Sequence, residues 1–188
     1  MLDRIATSIQ KFGHFSAEHL SLVLHRLHVL QLSKGDFLVK KNQVCQAFYF
    51  INEGALRHYQ VEENGKEITL NLFMKNEWIF EYNSFMTQQP SRNVIQAVTK
   101  SELFGLTLWD FHEIIKLPGS SFWPGYIFEQ VLENQGCQFI RFPIEERYKR
   151  LLTAKPGILE NFRHKHIASY LDMKPETLSR VRGKLKTS

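Results

Sequence analysis

The spacing of hydrophobic residues changes period twice along the chain. Ile5, Ile9 and Phe12, then Leu20, Val23, Leu24 and Leu27, recur three and four apart, which predicts helix over residues 3–28. From about residue 30 the pattern shortens to brief alternating runs. These are FLVKK after Lys34-Gly35-Asp36, AFYFI before Asn52-Glu53-Gly54, ALRHYQVEE and KEITLNLF, NVIQAVT and SELFGLT. Asn64-Gly65 separates two of them and predicts a hairpin with a type I′ turn, which needs positive φ at both central residues. About eight short strands between residues 30 and 107 predict a small antiparallel barrel or jelly roll.

The period returns to helical at Leu108. TLWDFHEIIKL reads as one helix closed by Pro118-Gly119. A longer helix runs from about Phe122 to Arg141, with Ile127, Val131, Leu132, Phe139 and Ile140 among its apolar positions. Pro143 interrupts it, Ile144 to Thr153 forms the next helix, and Pro156-Gly157 interrupts again. Two short helices follow, Lys165–Leu171 and Pro175–Lys186, with Asp172-Met173-Lys174 between them. The predicted class is α+β: a barrel over 1–118, a connecting helix over 119–141 and a compact helical unit over 142–188.

Charge sharpens this division. The 188 residues carry 24 Lys and Arg against 19 Asp and Glu, net +5. Residues 1–140 hold 12 basic and 14 acidic side chains, net −2, while residues 141–188 hold 12 and 5, net +7. The whole basic excess lies in the helical unit, the footprint of a module for polyanions. No apolar run approaches the roughly 18 residues of a membrane span, and MLDRIATSIQKF lacks the apolar core of a signal peptide. With Cys45 and Cys137 as the two cysteines, neither a disulfide framework nor a metal-ligand spacing is present, and a cytoplasmic protein is expected.

The stretch KPETLSRVRGKLKT, residues 174–187, places Leu178, Val181 and Leu185 on one helix face and cations on the others. Ile167, Ala168 and Leu171 give the preceding helix a matching inner face, as two helices joined by a short turn require. Strand barrel, long helix and basic helical unit in this order resemble the Crp/Fnr family of transcription regulators, in the short form common in Bacteroidetes. The resemblance covers nearly the whole chain. It rests on FYFINEGALRHYQVEENGKEITLNLF at 48–73, similar to the hairpin core of the family's cyclic-nucleotide-binding-type barrel, on FPIEERYKRLL at 142–152, and on HIASYLDMKPETLSRVRGKL at 166–185, similar to its helix-turn-helix.

The resemblance implies a homodimer through the helix 119–141 and double-stranded DNA as partner, with a small-molecule effector and RNA polymerase as further partners. Glu176, Ser179 and Arg180 fall at i, i+3 and i+4 on one outward face, where a recognition helix meets base edges. Arg can bond bidentately to guanine and Glu can accept from cytosine N4. Arg163, Lys165, Lys174, Thr177, Arg182, Lys184 and Lys186 are the expected phosphate contacts. Lys174 takes the place of the usual Ser, Thr or Asp N-cap. Only Thr187 and Ser188 follow the helix, so the β-hairpin wing of many relatives is expected to be missing.

Cyclic-nucleotide sensors of this fold hold the phosphate with Gly-Glu-Leu and, ten residues after the Glu, an Arg. Aligned on the following strand, Phe80 stands at the Gly position, Glu81 at the Glu and Ser91 at the Arg, with Arg92 one residue off. A one-residue slip in extended chain turns a side chain to the opposite face. Tight cyclic AMP binding is therefore not expected; a cyclic-nucleotide-responsive regulator with a divergent cassette is the alternative. No cofactor or metal is expected. His25 and His28, three apart on the expected helix, form at most half a site, His164 and His166 diverge, and two cysteines cannot hold an iron–sulfur cluster within one chain. No nucleophile–base signature of an enzyme is present. A cupin-like barrel would need histidines on adjacent strands, and the expected strand region holds only His58.

Overall fold

The computed structural model describes residues 2–11, 15–117, 125, 129 and 139–186, with the side chain of Lys186 excepted. The expected dimerisation helix at 119–141, with Cys137 on it, lies almost wholly outside the described residues. Eight strands form two four-stranded sheets: β1 (His28–Leu32), β2 (Phe37–Val39), β3 (Ala47–Glu53), β4 (Ala55–Val61), β5 (Glu67–Met74), β6 (Trp78–Ile79), β7 (Asn93–Ala97) and β8 (Ser101–Thr107). The strand orders are β1-β8-β3-β6 and β2-β7-β4-β5, and every pairing is antiparallel. This is the expected jelly roll: two sheets face each other and close around one core.

Alternation builds that core. Phe48, Phe50, Leu56, Phe73, Ile95, Phe104 and Leu106 point between the sheets and are buried. Helix α1 (Asp3–Gln10) closes one flank with Ile5 and Ile9, and its Ser8 hydroxyl accepts the Trp78 indole N–H at 3.0 Å. The predicted N-terminal helix is two helices. Ser16 caps the second, α2 (Ala17–His25), by accepting the His19 N–H. His28 is not on that helix. It opens β1, with its ring edge-on to Tyr49 at 5.8 Å, in space that Gly105 leaves free.

Two turns decide how the sheets connect. The β4–β5 hairpin differs from the expected type I′ turn, because only Gly65 has positive φ. Gly65 N–H bonds to Glu62 O, and Glu62 N–H to Lys66 O, both at 2.9 Å. That is a three-residue loop in which a type I turn is followed by a left-handed glycine, the other common hairpin solution. At Gly54 the chain leaves one sheet and enters the other. Its φ is +98°, and a Cβ there would lie 2.6 Å from Lys100 O and 2.7 Å from Ser101 Cα.

Helices α3 (Tyr82–Thr87) and α4 (Leu108–Ile114) complete the barrel. A reciprocal capping box of Thr107 and Asp110 starts α4. The C-terminal unit holds α5 (Ile144–Ala154), α6 (Ile158–Asn161), α7 (His164–Tyr170) and α8 (Pro175–Lys186). Its core is Tyr148, Leu151, Ile158, Phe162, Ile167, Ala168, Tyr170, Leu171, Leu178 and Val181. Ala55 and Leu72 of the barrel belong to this second core.

Gly54→Ala is expected to cost about 2 kcal/mol or more, because positive φ and a backbone clash coincide. Gly65→Ala meets no atom within 4 Å and should cost only about 1 kcal/mol. Denaturant midpoints of the two variants measure the difference.

Candidate nucleic-acid interface and the sensor cassette

The turn between α7 and α8 is set by backbone chemistry. Met173 N–H bonds to Ala168 O at 2.8 Å and Asp172 N–H to Ser169 O at 3.2 Å. This pair of bonds ends a helix when the intervening residue is left-handed, and Asp172 has φ of 53°. Asp is among the few non-glycine residues that adopt this conformation readily. The chain then re-enters helix at Pro175, with Leu178 N–H bonding back to Lys174 O. Inside the corner, Ile167, Ala168 and Leu171 meet Leu178 and Val181, all buried, as their spacing predicts. Tyr170 joins them, also buried; the sequence reading passed over it because its hydroxyl makes it an ambiguous core residue.

With Leu178 and Val181 fixed inward, the opposite face of α8 is fixed outward. Glu176, Ser179 and Arg180 are all exposed there, adjacent on one face. The expected phosphate contacts divide. Arg163, Lys165 and Lys174 are exposed around the start of the two helices, and Thr177 is half-buried. Arg182 hydrogen-bonds the His164 ring. Lys184 Nζ pairs with Glu145 at 2.6 Å. That pair is exposed on both sides, so solvent screening leaves it weak and a stronger anion can displace it. Lys186 ends α8, and its side chain lies outside the described residues.

The cassette in the barrel is filled by the chain itself. Glu81 is 2% exposed. It caps α3 by accepting the Ser84 N–H at 2.7 Å, and its other oxygen accepts Asn93 Nδ2 at 3.1 Å. Ser91 is buried and turned onto its own loop: its hydroxyl donates to Asn93 O and accepts the Asn93 N–H, both at 3.0 Å. Arg92 is exposed on the outer surface beside Lys41, Glu62, Glu63 and Asn64, as the one-residue slip predicts. Phe80 is buried in an aromatic cluster, 5.2 Å from Phe85 and 6.3 Å from Phe48, whose ring also meets Trp78 and Phe111. No cation of the cassette faces the barrel interior.

Residues considered as ligands have other partners. Cys45 is buried, donates its thiol to Ala47 O, and is held above the usual thiol range chiefly by burial. The His25 ring bonds Ser21 O on its own helix. No group of three potential metal ligands occurs among the described residues. His58 lies in the barrel, its Nε2 without a hydrogen-bond partner among the described residues. Burial pushes its pKa down to about 4.

Residues 29–117 match the Cyclic nucleotide-binding domain family. The chain superposes on the Catabolite Activator Protein of Thermus thermophilus with a TM-score of 0.54 at 22% identity, covering 93% of this chain and 85% of that one. It superposes on CLP, the c-di-GMP responsive global regulator of Xanthomonas campestris, with a TM-score of 0.65 at 14% identity, covering 92% of each. The chain shares the fold of these two proteins. The resemblance read from the sequence is borne out for the barrel stretch at 48–73 and in the likeness to regulators of this fold. Among curated proteins, Neuropathy target esterase sws of Drosophila grimshawi is 25% identical over 113 residues, or 57% of this chain. The match spans only 8% of that esterase's length. These two solved neighbours are regulators, and no helix among the described residues is long and apolar enough to cross a membrane.

His58 gives the barrel an acid sensitivity. In the unfolded chain a histidine protonates near pH 6.5; in the folded chain this one stays neutral down to about pH 4. The unfolded state then binds more protons, so stability falls as pH drops through that window, by about 3 kcal/mol in total. The expected outcome is that His58→Met flattens this part of the stability profile, measured by urea unfolding between pH 7 and pH 4. An unchanged difference between the two pH values would count against it.

Proposed function

We propose that the chain is a sequence-specific DNA-binding transcription regulator, acting as a dimer on a palindromic site. The observation that carries this reading is the exposed triplet Glu176, Ser179 and Arg180 on a helix whose inner face is locked by Leu178 and Val181. Helices α7 and α8 are the helix-turn-helix, with α8 as the recognition helix in the major groove. The net charge of +7 over residues 141–188 supplies the sequence-independent attraction. Arg163, Lys165, Lys174 and Thr177 hold phosphates, as do Arg182 and Lys184 once DNA displaces His164 and Glu145. Dimerisation through 119–141 sets the two half-sites about one helical turn apart, near 34 Å. In this reading the protein works in the cytoplasm, with RNA polymerase as a further partner.

The effector is not a cyclic nucleotide in this reading. Phe80, Ser91 and the outward Arg92 support that view, since nothing in the cassette replaces the phosphate-binding Arg. The match of residues 29–117 to the cyclic nucleotide-binding domain favours the alternative, a responsive barrel with a divergent cassette. Calorimetry with cyclic AMP and cyclic GMP separates the two, and no binding at micromolar concentrations is the expected result. Micromolar affinity for either would establish the alternative.

Base readers and phosphate holders should separate by sequence and by salt. After selection of bound duplexes from a random pool, Arg180→Ala is expected to cost about 1–3 kcal/mol on the selected site and to relax preference at one symmetric pair of positions. Lys184→Ala should weaken selected and scrambled duplexes alike and reduce the slope of log affinity against log salt by about one. An equal loss on both duplexes for Arg180→Ala would make α8 a phosphate-binding stripe and not a reader of sequence.

A further inference from the structure

The C-terminal unit is bolted to the barrel at β5 by two short polar contacts, beside a longer one from Asn161 Nδ2 to Met74 Sδ at 3.9 Å. Lys155 follows α5 directly and is 6% exposed. Its ammonium donates to Leu72 O at 2.6 Å and to Glu77 Oε1 at 2.9 Å, beyond the end of β5. The other oxygen of Glu77 accepts the Met74 N–H at 2.6 Å, so the carboxylate is fixed to the barrel backbone. The second point is the Ser169 hydroxyl on α7, which accepts the Thr69 N–H at 2.9 Å.

A buried lysine is a costly way to join two modules. Desolvating an ion pair can exceed its Coulombic gain, and well-packed apolar residues often serve stability as well or better. What a hydrogen-bonded pair adds is a fixed register, because apolar surfaces slide and directional bonds do not. The register here is carried onward. Helix α5 is a strut of eleven residues, about 16 Å long. Lys155 ties its C-terminal end to the barrel. Near its N-terminal end Arg147 donates to Phe142 O at 2.8 Å and to Leu171 O at 3.0 Å. Leu171 opens the turn between α7 and α8. One chain of bonds therefore runs from Glu77 through Lys155, α5 and Arg147 to that turn.

We propose that Lys155, held by Glu77 and Leu72 O, is a positioning residue for DNA recognition: it fixes the angle at which each barrel presents α8, and with it the half-site spacing the protein accepts. This rests on the DNA-binding reading above. Lys155 itself touches no base and no phosphate. Losing the latch leaves the face of Glu176, Ser179 and Arg180 intact, so one half-site is still read, while the fixed relation between two half-sites is lost.

The test uses the full chain and duplexes carrying the selected half-site singly, in pairs at the selected spacing, and in pairs with one or two base pairs added or removed. Wild type is expected to favour the selected spacing by tenfold or more. Lys155→Met and Glu77→Gln should reduce this preference to about twofold, with single half-site affinity unchanged within about twofold. Each single variant leaves a buried charge or dipole unpaired and should lower Tm by about 5–10 °C. The double variant Lys155→Met with Glu77→Met removes both charges and should recover most of that Tm without recovering the spacing preference, which a purely stabilising role does not predict. Hydrogen exchange at the Thr69 amide should accelerate at least tenfold in Lys155→Met. Retention of the wild-type spacing preference in the variants overturns the proposal. So does a Thr69 amide that exchanges no faster in Lys155→Met than in wild type. Failure of wild type to select any duplex overturns instead the functional reading on which the proposal rests.

Discussion

Strand β5 and its neighbour β4 belong to two cores at once, and the rest of the molecule depends on that. Successive side chains of a strand point to opposite faces. Leu56 and Phe73 therefore enter the barrel core, while Ala55 and Leu72, one residue away, enter the core of the C-terminal unit. A shift of one residue in the β4–β5 register would exchange the two sets. The register is pinned by the Gly65 loop at one end and by Gly54 against Lys100 and Ser101 at the other. The edge of this sheet, which would otherwise expose unpaired strand backbone, is covered by α7.

The electrostatics of the same strand follow from its position. Arg57, buried on the outer face of β4, is bound by Thr69 Oγ1 at 2.9 Å and by Glu67, and lies over the Tyr59 ring. Its hydrogen bond, more than any other cause, holds the Glu67 carboxyl below the usual range. Lys165 and His166 of α7 face this pair across a cleft of about 290 Å³. Burial first, then Arg57 and Lys165, push His166 down to about pKa 4. His166 is thus neutral at physiological pH, and Glu67 stays charged among cations. The basic unit can sit against the barrel because one acid of the hairpin offsets the cations that approach it.

Much of this was legible in the sequence, and the parts that were not have identifiable reasons. The strands announced themselves through alternation, and the α7–α8 corner through apolar spacing, because a single core face leaves a periodic trace. The type I′ turn was misread because Asn-Gly does not show how many residues the closing pair encloses; the Glu62–Lys66 bond settles that. His28 was assigned to a helix because three-residue spacing with His25 looks helical, yet its place depends on Gly105, far along the chain. Asp172 was read only as part of a turn, since its left-handed φ is a matter of backbone and not of pattern. Arg182 and Lys184 were read as phosphate contacts with no partner in the chain considered; His164 and Glu145 reach them only in the folded chain. Lys155 gave no signal at all. A lysine before Pro-Gly reads as a solvated loop residue, and only the approach of β5 buries it.

That last contrast orders the functional residues by the kind of constraint they obey. Glu176, Ser179 and Arg180 are exposed and outside both cores, so among the described residues their identity is not set by packing. Glu81 and Ser91 obey the opposite constraint. They stand where the sequence reading looked for a phosphate cassette, but each is consumed by bonds to its own loop, to Ser84 and Asn93 for one and to Asn93 for the other. A carboxylate buried to this degree must have its oxygens satisfied wherever it sits. A ligand entering there would have to supply donors in place of the Ser84 N–H and the Asn93 amide while displacing Phe80 from its aromatic neighbours. The cassette has thus become structure. The barrel interior is taken up by its own bonds and aromatic packing, and the contact of α5 and α7 with β5 is where the two cores meet.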